Sequence, residues 1–176
     1  GENFYGYNDF SFNITDYETC DGETQNVITV KTVNQFPSSR WYSGSGIYRD
    51  VTLMVAGDIH VADEGTYVTT PNLEEEQNGD VTVHVETEVK NERDAEGTVT
   101  VRTTLLDENG EAVSEAAEAE MTLEADAQAM TEQEILVNQP KLWDCDEPNL
   151  YYVQTEILDG DEVIDSYETE FGFRYI

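Results

Sequence analysis

Three segments of this sequence alternate apolar and polar residues with a period of two, and this pattern constrains the fold more than any other feature. The segments are 81–89 (VTVHVETEV), 99–105 (VTVRTTL) and 117–126 (AEAEMTLEAD). Successive side chains of an extended strand point to opposite faces, so alternation of this kind predicts strands with one buried and one solvated face. The second half of the chain is therefore predicted to be a β structure.

The third segment carries two conflicting signals. Residues 111–130 are rich in Ala and Glu, which favour helix by intrinsic propensity. The alternation nevertheless continues for ten residues from Ala117 to Asp126. A period of two places the apolar side chains on one face of a strand, but it does not match the repeat of a helix. We predict a strand here.

The remaining β signals complete an all-β fold. Short strands are predicted at 134–137, 149–158 and 163–173, with turns at 107–110 (DENG) and at Asp159-Gly160. About seven short strands separated by turns are typical of an immunoglobulin-like β-sandwich. We assign residues 57–176 to this sandwich, with 57–62 as the passage into it.

Residues 1–56 have a different pattern. The run 26–33 is apolar on both faces, which favours a strand buried inside a sandwich, and a further strand is predicted at 47–55. The small residues Gly44, Ser45 and Gly46 predict a tight loop before it. We treat residues 1–56 as a separate β domain.

Composition excludes some classes of partner. The chain has 39 Asp and Glu against 8 Lys and Arg, which gives a net charge of −31. Such a surface repels nucleic acid phosphates and anionic lipid headgroups. No apolar run approaches the ~20 residues of a membrane helix, and Cys20 and Cys145 are expected to be reduced thiols.

Three motifs, in a fixed order, carry a family resemblance. They are SRWYSGSGIYRDV at 39–51, PKLWDCDEPNLY at 140–151 and ETEFGFR at 168–174. Together they resemble the family 2 glycoside hydrolases, the β-galactosidase group. The resemblance implies that residues 1–56 are the end of a galactose-binding-like jelly roll and that an immunoglobulin-like sandwich follows.

The same resemblance implies a non-catalytic fragment. In this family the catalytic barrel begins just after the "FGFR" motif and carries both catalytic glutamates of the retaining mechanism. No glutamate of this chain is assigned a catalytic role, and the chain is expected to be inactive alone. Its implied partners are the barrel of the same polypeptide and, in the parent, a β-galactoside. β-Glucuronidases and β-mannosidases share this domain order, so they are alternative identities for the parent enzyme.

Candidate contacts follow from the motifs. Arg40, Trp41 and Tyr42 have the residue types that bind sugars, because aromatic rings stack on pyranoses and Arg donates to hydroxyl or carboxylate oxygens. The alternative is that the two aromatic side chains pack under the loop and that Arg49 pairs with an acidic neighbour. The family resemblance implies that four other residues dock the sandwich against the barrel. They are Trp143, Phe171, Phe173 and Arg174.

Cofactor and metal signals are weak. Asp144, Asp146 and Glu147 cluster, as do Asp159 and Asp161, but neither group has the spacing of a calcium loop. His60 and His84 are isolated in the sequence, and His84 is expected on the solvated face of its strand. We predict no cofactor and no metal. Self-association through the incomplete jelly roll is one further expectation, and a free-standing carbohydrate-binding or cell-surface adhesion module is the alternative function.

Overall fold

A computed structural model describes residues 2–34, 44–76 and 79–175. The chain divides into two compact units, Gly1–Thr52 and Leu53–Ile176, each of which is described by itself below. Only the second unit contains strands among the residues described. The described part of the chain also has no helix long and apolar enough to cross a membrane.

The second unit is a β-sandwich of seven antiparallel strands. The strands are β1 (Ile59–Thr69), β2 (Asp80–Asn91), β3 (Gly97–Leu106), β4 (Ala117–Leu123), β5 (Ala127–Asn138), β6 (Tyr151–Asp159) and β7 (Glu162–Phe171). One sheet has the order β1-β2-β5 and the other β4-β3-β6-β7. The prediction of an all-β, immunoglobulin-like sandwich is confirmed, and so is the choice of strand over helix at 117–123.

The alternation in the sequence becomes the two faces of each sheet. Val81, Val83, Val85 and Val89 of β2 are fully buried, as is Thr87 in the same row, and the even-numbered polar residues between them lie on the outer face. The twelve residues of β2 pair without a break along β5, from Asp80 opposite Asn138 to Asn91 opposite Ala127. Uninterrupted alternation therefore corresponds to an uninterrupted ladder.

The core is divided by a belt of buried polar side chains. One apolar cluster contains Phe173, Leu105 and Val153, and the other contains Ile59, Val101 and Ile157. Between them lie four buried polar residues: Thr87, Thr103, Gln133 and Thr155. The Gln133 amide joins the two sheets, because its Nε2 donates to the carbonyl oxygens of Val101 and Ala117 while its Oε1 accepts from the Thr103 hydroxyl at 2.7 Å.

Strand β1 corrects the predicted passage at 57–62. Ile59, Val61 and Ala62 are buried, and Ile59 and Val61 pair with β2, so this stretch begins the sandwich. The strand was missed because its register shifts between Val61 and Thr66, where Glu64 has a φ of 54°. Such a bulge interrupts the alternation from which a strand is predicted.

The strands predicted at 26–33 and 47–55, which both fall on described residues, are not formed. Among the described residues of the first unit the regular structure is a 3-10 helix at Thr15–Tyr17, and the runs 26–33 and 47–55 form no ladder. Their apolar side chains are exposed, for example Val27 at 75% and Val51 at 77%. The prediction that 26–33 is buried in a sandwich is wrong here, because a strand needs a neighbour for its backbone hydrogen bonds and these runs lack one.

Candidate functional site

The connection between β5 and β6, residues 139–150, is an ordered loop that contains the second family motif. Asp144 shapes its tip, because its Oδ1 accepts the backbone N–H groups of Asp146 and Glu147, both at 2.7 Å. Asn149 closes the loop by donating from Nδ2 to the Leu142 carbonyl oxygen at 2.8 Å. The acidic cluster at 144–147 thus forms a turn that the Asp144 carboxylate stabilises by accepting backbone N–H groups.

Tyr151 anchors the base of this loop. Its hydroxyl oxygen accepts the backbone N–H of Lys141 at 3.0 Å, and its ring is buried at the start of β6. A tyrosine at this corner, bonded to backbone upstream, is a hallmark of immunoglobulin-like sandwiches. Sequence analysis missed it, although the position of Tyr151 at the start of a predicted strand was a usable signal.

The second and third motifs meet in space. Leu142 forms a parallel bridge to Phe173, and the Trp143 N–H donates to the Phe173 carbonyl oxygen at 2.8 Å. Gly172 makes the close approach possible, because a β-carbon there would lie 2.8 Å from the Trp143 Cβ. We call this arrangement the motif junction.

Phe173 forms the buried centre of the motif junction. Its side chain is fully buried, with ring centroids 4.9 Å from Tyr151 and 5.0 Å from Phe171. The expectation that Phe173 docks another domain is therefore wrong, because its side chain has no free surface. It belongs to the sandwich core.

The other three predicted docking residues line one cleft of about 380 Å³. Trp143 and Phe171 are half-buried, Arg174 is exposed, and the Arg174 guanidinium lies 5.5 Å from the centre of the Trp143 ring. The rest of the lining comes from Leu150, Gly172, the last two residues of β1 (68–69) and Thr70, which sequence analysis did not single out.

The chemistry of this cleft is that of a contact surface. Its lining combines two aromatic rings, one guanidinium and the hydroxyls of Thr69 and Thr70, and it includes no carboxylate, histidine or cysteine. Acid–base hydrolysis of a glycoside needs a pair of carboxyl groups. The cleft can bind or dock through stacking and hydrogen bonding, but it has no group to move a proton.

Arg40, Trp41 and Tyr42 lie outside the described residues. Nearby, Arg49 pairs with Asp9 at 2.7 Å and packs over the Tyr48 ring, so the ion pair expected for Arg49 is present. That pair is mostly solvent-exposed and contributes little to stability.

The isolated histidines and cysteines form no joint site. His60 Nδ1 bonds the Gly57 carbonyl oxygen at 2.8 Å, and His84 Nε2 lies 3.6 Å from Glu86 and 4.0 Å from Glu132 on the outer face of β2. Cys20 and Cys145 are exposed free thiols. In residues 2–34, 44–76 and 79–175, no group of three or more His, Cys, Asp and Glu side chains converges as metal ligands would.

Comparison with known proteins places the chain in a family. The sequence profile described as "Glycosyl hydrolases family 2" matches residues 59–174. A β-galactosidase of Bacteroides ovatus is 40% identical over 171 residues, which cover 97% of this chain and 19% of the relative. A β-glucuronidase of Formosa agariphila is 28% identical over 195 residues, which cover 99% of this chain and 19% of that relative. The chain thus spans about a fifth of the length of these relatives.

Solved structures agree on the fold. A family 2 glycosyl hydrolase of Bacteroides cellulosilyticus superposes with a TM-score of 0.62 and 30% identity over 68% of this chain and 16% of that one. A β-glucuronidase of family 2 gives a TM-score of 0.63 at 24% identity, over 68% of this chain and 13% of its own, which shows a common fold alone. Because the profile match extends over residues 59–174, well over half of its length, this chain belongs to family 2 of the glycosyl hydrolases.

Proposed function

We propose that this chain is a non-catalytic scaffold segment of a retaining, β-galactosidase-like glycosidase. In this proposal the sandwich orients a catalytic barrel of the same polypeptide. The observation that carries it is the motif junction, where the Trp143–Phe173 hydrogen bond of 2.8 Å joins the loop 139–150 to the segment that follows β7. A rigid terminus of this kind can fix the direction in which a neighbouring domain is held.

The composition of the cleft supports a docking role for Trp143, Phe171 and Arg174. Aromatic side chains and Arg are enriched at the centres of protein interfaces, where they contribute a large share of the binding energy. Arg174 stacked on Trp143 presents both a cation and apolar area at one exposed place. We propose that this cleft faces the catalytic barrel.

Residues 1–56 are proposed to be the end of the sugar-binding jelly roll. The exposure of Phe4, Tyr7, Val27 and Val51 supports this, because apolar side chains in such number are normally covered by a partner. Further strands of the jelly roll or a second copy of the chain would cover them. Arg40, Trp41 and Tyr42 would then lie on a loop that helps line the entrance of the active site.

Galactoside specificity is the finer part of the proposal. It is supported by the name of the Bacteroides ovatus relative, a β-galactosidase at 40% identity, against 33% and 28% for two whole-chain relatives of Formosa agariphila named for β-glucuronidase activity. The specificity of the parent enzyme depends on its barrel, which supplies the catalytic carboxylates in this family.

Hydrolysis of chromogenic substrates tests the function. A β-galactoside, a β-glucuronide and a β-mannoside would be offered to this chain and to the full product of its gene. We expect the β-galactoside to be hydrolysed by the full product only. Hydrolysis of another sugar would correct the specificity, and a full product inactive on all three would favour the binding-module alternative.

A second experiment tests the docking cleft. Arg174→Ala should lower the melting temperature of the full product and leave that of this chain nearly unchanged, because the guanidinium is exposed in the chain alone. Met130→Ala, which truncates an exposed side chain on the outer face of β5, is the control. Equal effects of Arg174→Ala on both proteins would exclude docking through this residue.

A further inference from the structure

This protein has more acidic side chains than its basic side chains can neutralise by ion pairing. With 39 Asp and Glu and 8 Lys and Arg, even a separate carboxylate for every basic side chain would leave 31 carboxylates without one (39 − 8 = 31). Self-repulsion of this size destabilises a compact state.

The outer face of the β1-β2-β5 sheet concentrates part of this charge. Glu86 of β2 lies directly opposite Glu132 of β5, while Glu88 and Glu134 continue the same two rows opposite Met130 and His84. His84 Nε2 lies 3.6 Å from Glu86 and 4.0 Å from Glu132. Side chains directly opposite in an antiparallel pair have Cβ atoms about 4.5–5.5 Å apart, and like charges there are destabilising. Neighbours along one face of a strand are separated by roughly 6.6 Å.

The edge strands of the other sheet carry like charges along each strand. Glu118 and Glu120 share one face of β4, and Glu168 and Glu170 share one face of β7. None of the four lies opposite another carboxylate, and Glu118 lies opposite Arg102. The pKa of the neighbouring Tyr152 is raised. Partial desolvation is the larger cause, and the negative charge of Glu170 is the second. The interior of this face differs, because Arg102 donates to Glu156 at 2.9 Å.

Screening by dissolved salt has the right length scale to relieve this repulsion. The Debye length is about 8 Å at 0.15 M and about 3 Å at 1 M monovalent salt. Carboxylates 5–7 Å apart therefore repel each other at ordinary ionic strength and are screened only near molar salt. Among the residues described, no cluster has the convergent geometry of a specific metal site, so any effect should be diffuse.

We propose that this protein is adapted to molar concentrations of monovalent cations, and that the stability of its sandwich falls as salt is removed. The carboxylate rows on both outer faces are the cause. In this inference Na⁺ or K⁺ acts as a screening atmosphere and occupies no fixed site. It is independent of the proposed function.

Thermal unfolding of the full 176-residue chain at increasing NaCl or KCl tests the proposal. Between 0.1 and 2 M we expect the melting temperature to rise by on the order of 10 °C, with most of the rise above 0.15 M. A chain that is unfolded at low salt and gains β-sheet circular dichroism on addition of salt would also support the proposal. A melting temperature that does not change with salt, a chain unfolded at every concentration, or saturation by millimolar Ca²⁺ or Mg²⁺ would overturn it.

Two matched variants separate screening from the general effect of salt on apolar burial. Glu132→Gln removes a carboxylate that faces Glu86, so it should raise the melting temperature at 0.1 M and reduce the dependence on salt. Glu156→Gln removes the partner of Arg102, so it should lower the melting temperature. If Glu132→Gln is destabilising at low salt as well, repulsion between the rows does not govern stability.

Discussion

The backbone N–H of Trp143 donates to the carbonyl oxygen of Phe173 at 2.8 Å, across 30 positions of sequence (173 − 143 = 30). This bond joins the β5–β6 connection to the segment that follows the last strand, so two separate sequence motifs form one structural element. A change that separates Trp143 from this segment should therefore loosen the whole end of the sandwich.

Gly172→Ala is the smallest such change. A β-carbon at this position would lie 2.8 Å from the Cβ and 3.0 Å from the Cγ of Trp143, closer than packed atoms tolerate. Because the Trp143 Cβ is fixed to the loop backbone, we expect a loss of about 1–3 kcal/mol in the free energy of unfolding, typical of overpacking. Urea denaturation monitored by tryptophan fluorescence measures it.

Gly57→Ala is the control for this substitution. The nearest atom to the β-carbon added there would be the Ile164 carbonyl oxygen, at an ordinary contact distance of 3.4 Å. The effect of this control should be small. Equal stabilities of Gly172→Ala and the unmodified protein would mean that Trp143 can move away without cost, and the motif junction would then be less rigid than proposed.

Tyr151→Phe tests the tyrosine corner. The substitution leaves the buried ring in place and removes the hydroxyl oxygen that accepts the Lys141 N–H at 3.0 Å. We expect a loss of about 1 kcal/mol, the usual net value of one such hydrogen bond. Tyr152→Phe, on the outward-facing neighbour, should change stability by less than about 0.5 kcal/mol. A larger effect at Tyr152 than at Tyr151 would contradict this assignment.

Prediction from sequence succeeded where each strand keeps its alternation along its full length. Strand β2 is the clearest case, because Val81 to Val89 alternate without a break and pair with β5 without a register shift. Alternation said less about strand ends: it continues to Asp126, while β4 ends at Leu123 and Asp126 turns the chain with a φ of 51°. A local pattern does not reveal where the chain crosses from one sheet to the other.

The motif junction could not be predicted in the same way. Phe171 and Phe173 have the same parity and similar composition around them, yet Phe173 is fully buried and Phe171 is only partly covered. The difference arises because Leu142, far away in sequence, forms a bridge to Phe173. The strand predictions for the first unit were wrong for a related reason, since apolar runs form strands only when another strand pairs with them.

The pH dependence of one turn can be predicted with its sign. Asp107 Oδ1 accepts the backbone N–H groups of Glu111 and Asn109 at 3.0 and 2.8 Å, and these bonds hold the pKa of the Asp107 carboxyl below 3.8. Because this pKa is depressed in the folded state, the bonds stabilise the fold above pH 3.8. Their contribution is lost as the pH falls through the folded pKa.

Asp107→Asn keeps an acceptor oxygen but cannot titrate. In 2 M NaCl, chosen to screen the other carboxylates, the melting temperature of the unmodified protein should fall more steeply between pH 5 and 2 than that of the variant. NMR titration of the Asp107 carboxyl gives its pKa directly. A midpoint at or above 3.8 would show that the turn does not stabilise the charged form.

The belt of polar residues in the core predicts opposite results for one substitution at two sites. The Thr103 hydroxyl donates to Gln133 Oε1 at 2.7 Å, whereas the buried Thr155 hydroxyl has no hydrogen-bond partner within the described residues. Thr103→Val should therefore cost about 1–3 kcal/mol, because it leaves the Gln133 oxygen unsatisfied in the core. Thr155→Val should be neutral or stabilising by up to about 1 kcal/mol, because it replaces an unsatisfied hydroxyl by a methyl group of similar size. Urea denaturation at one fixed salt concentration compares the two variants, and a loss of the same size at both positions would mean that Thr155 has a partner as strong as that of Thr103.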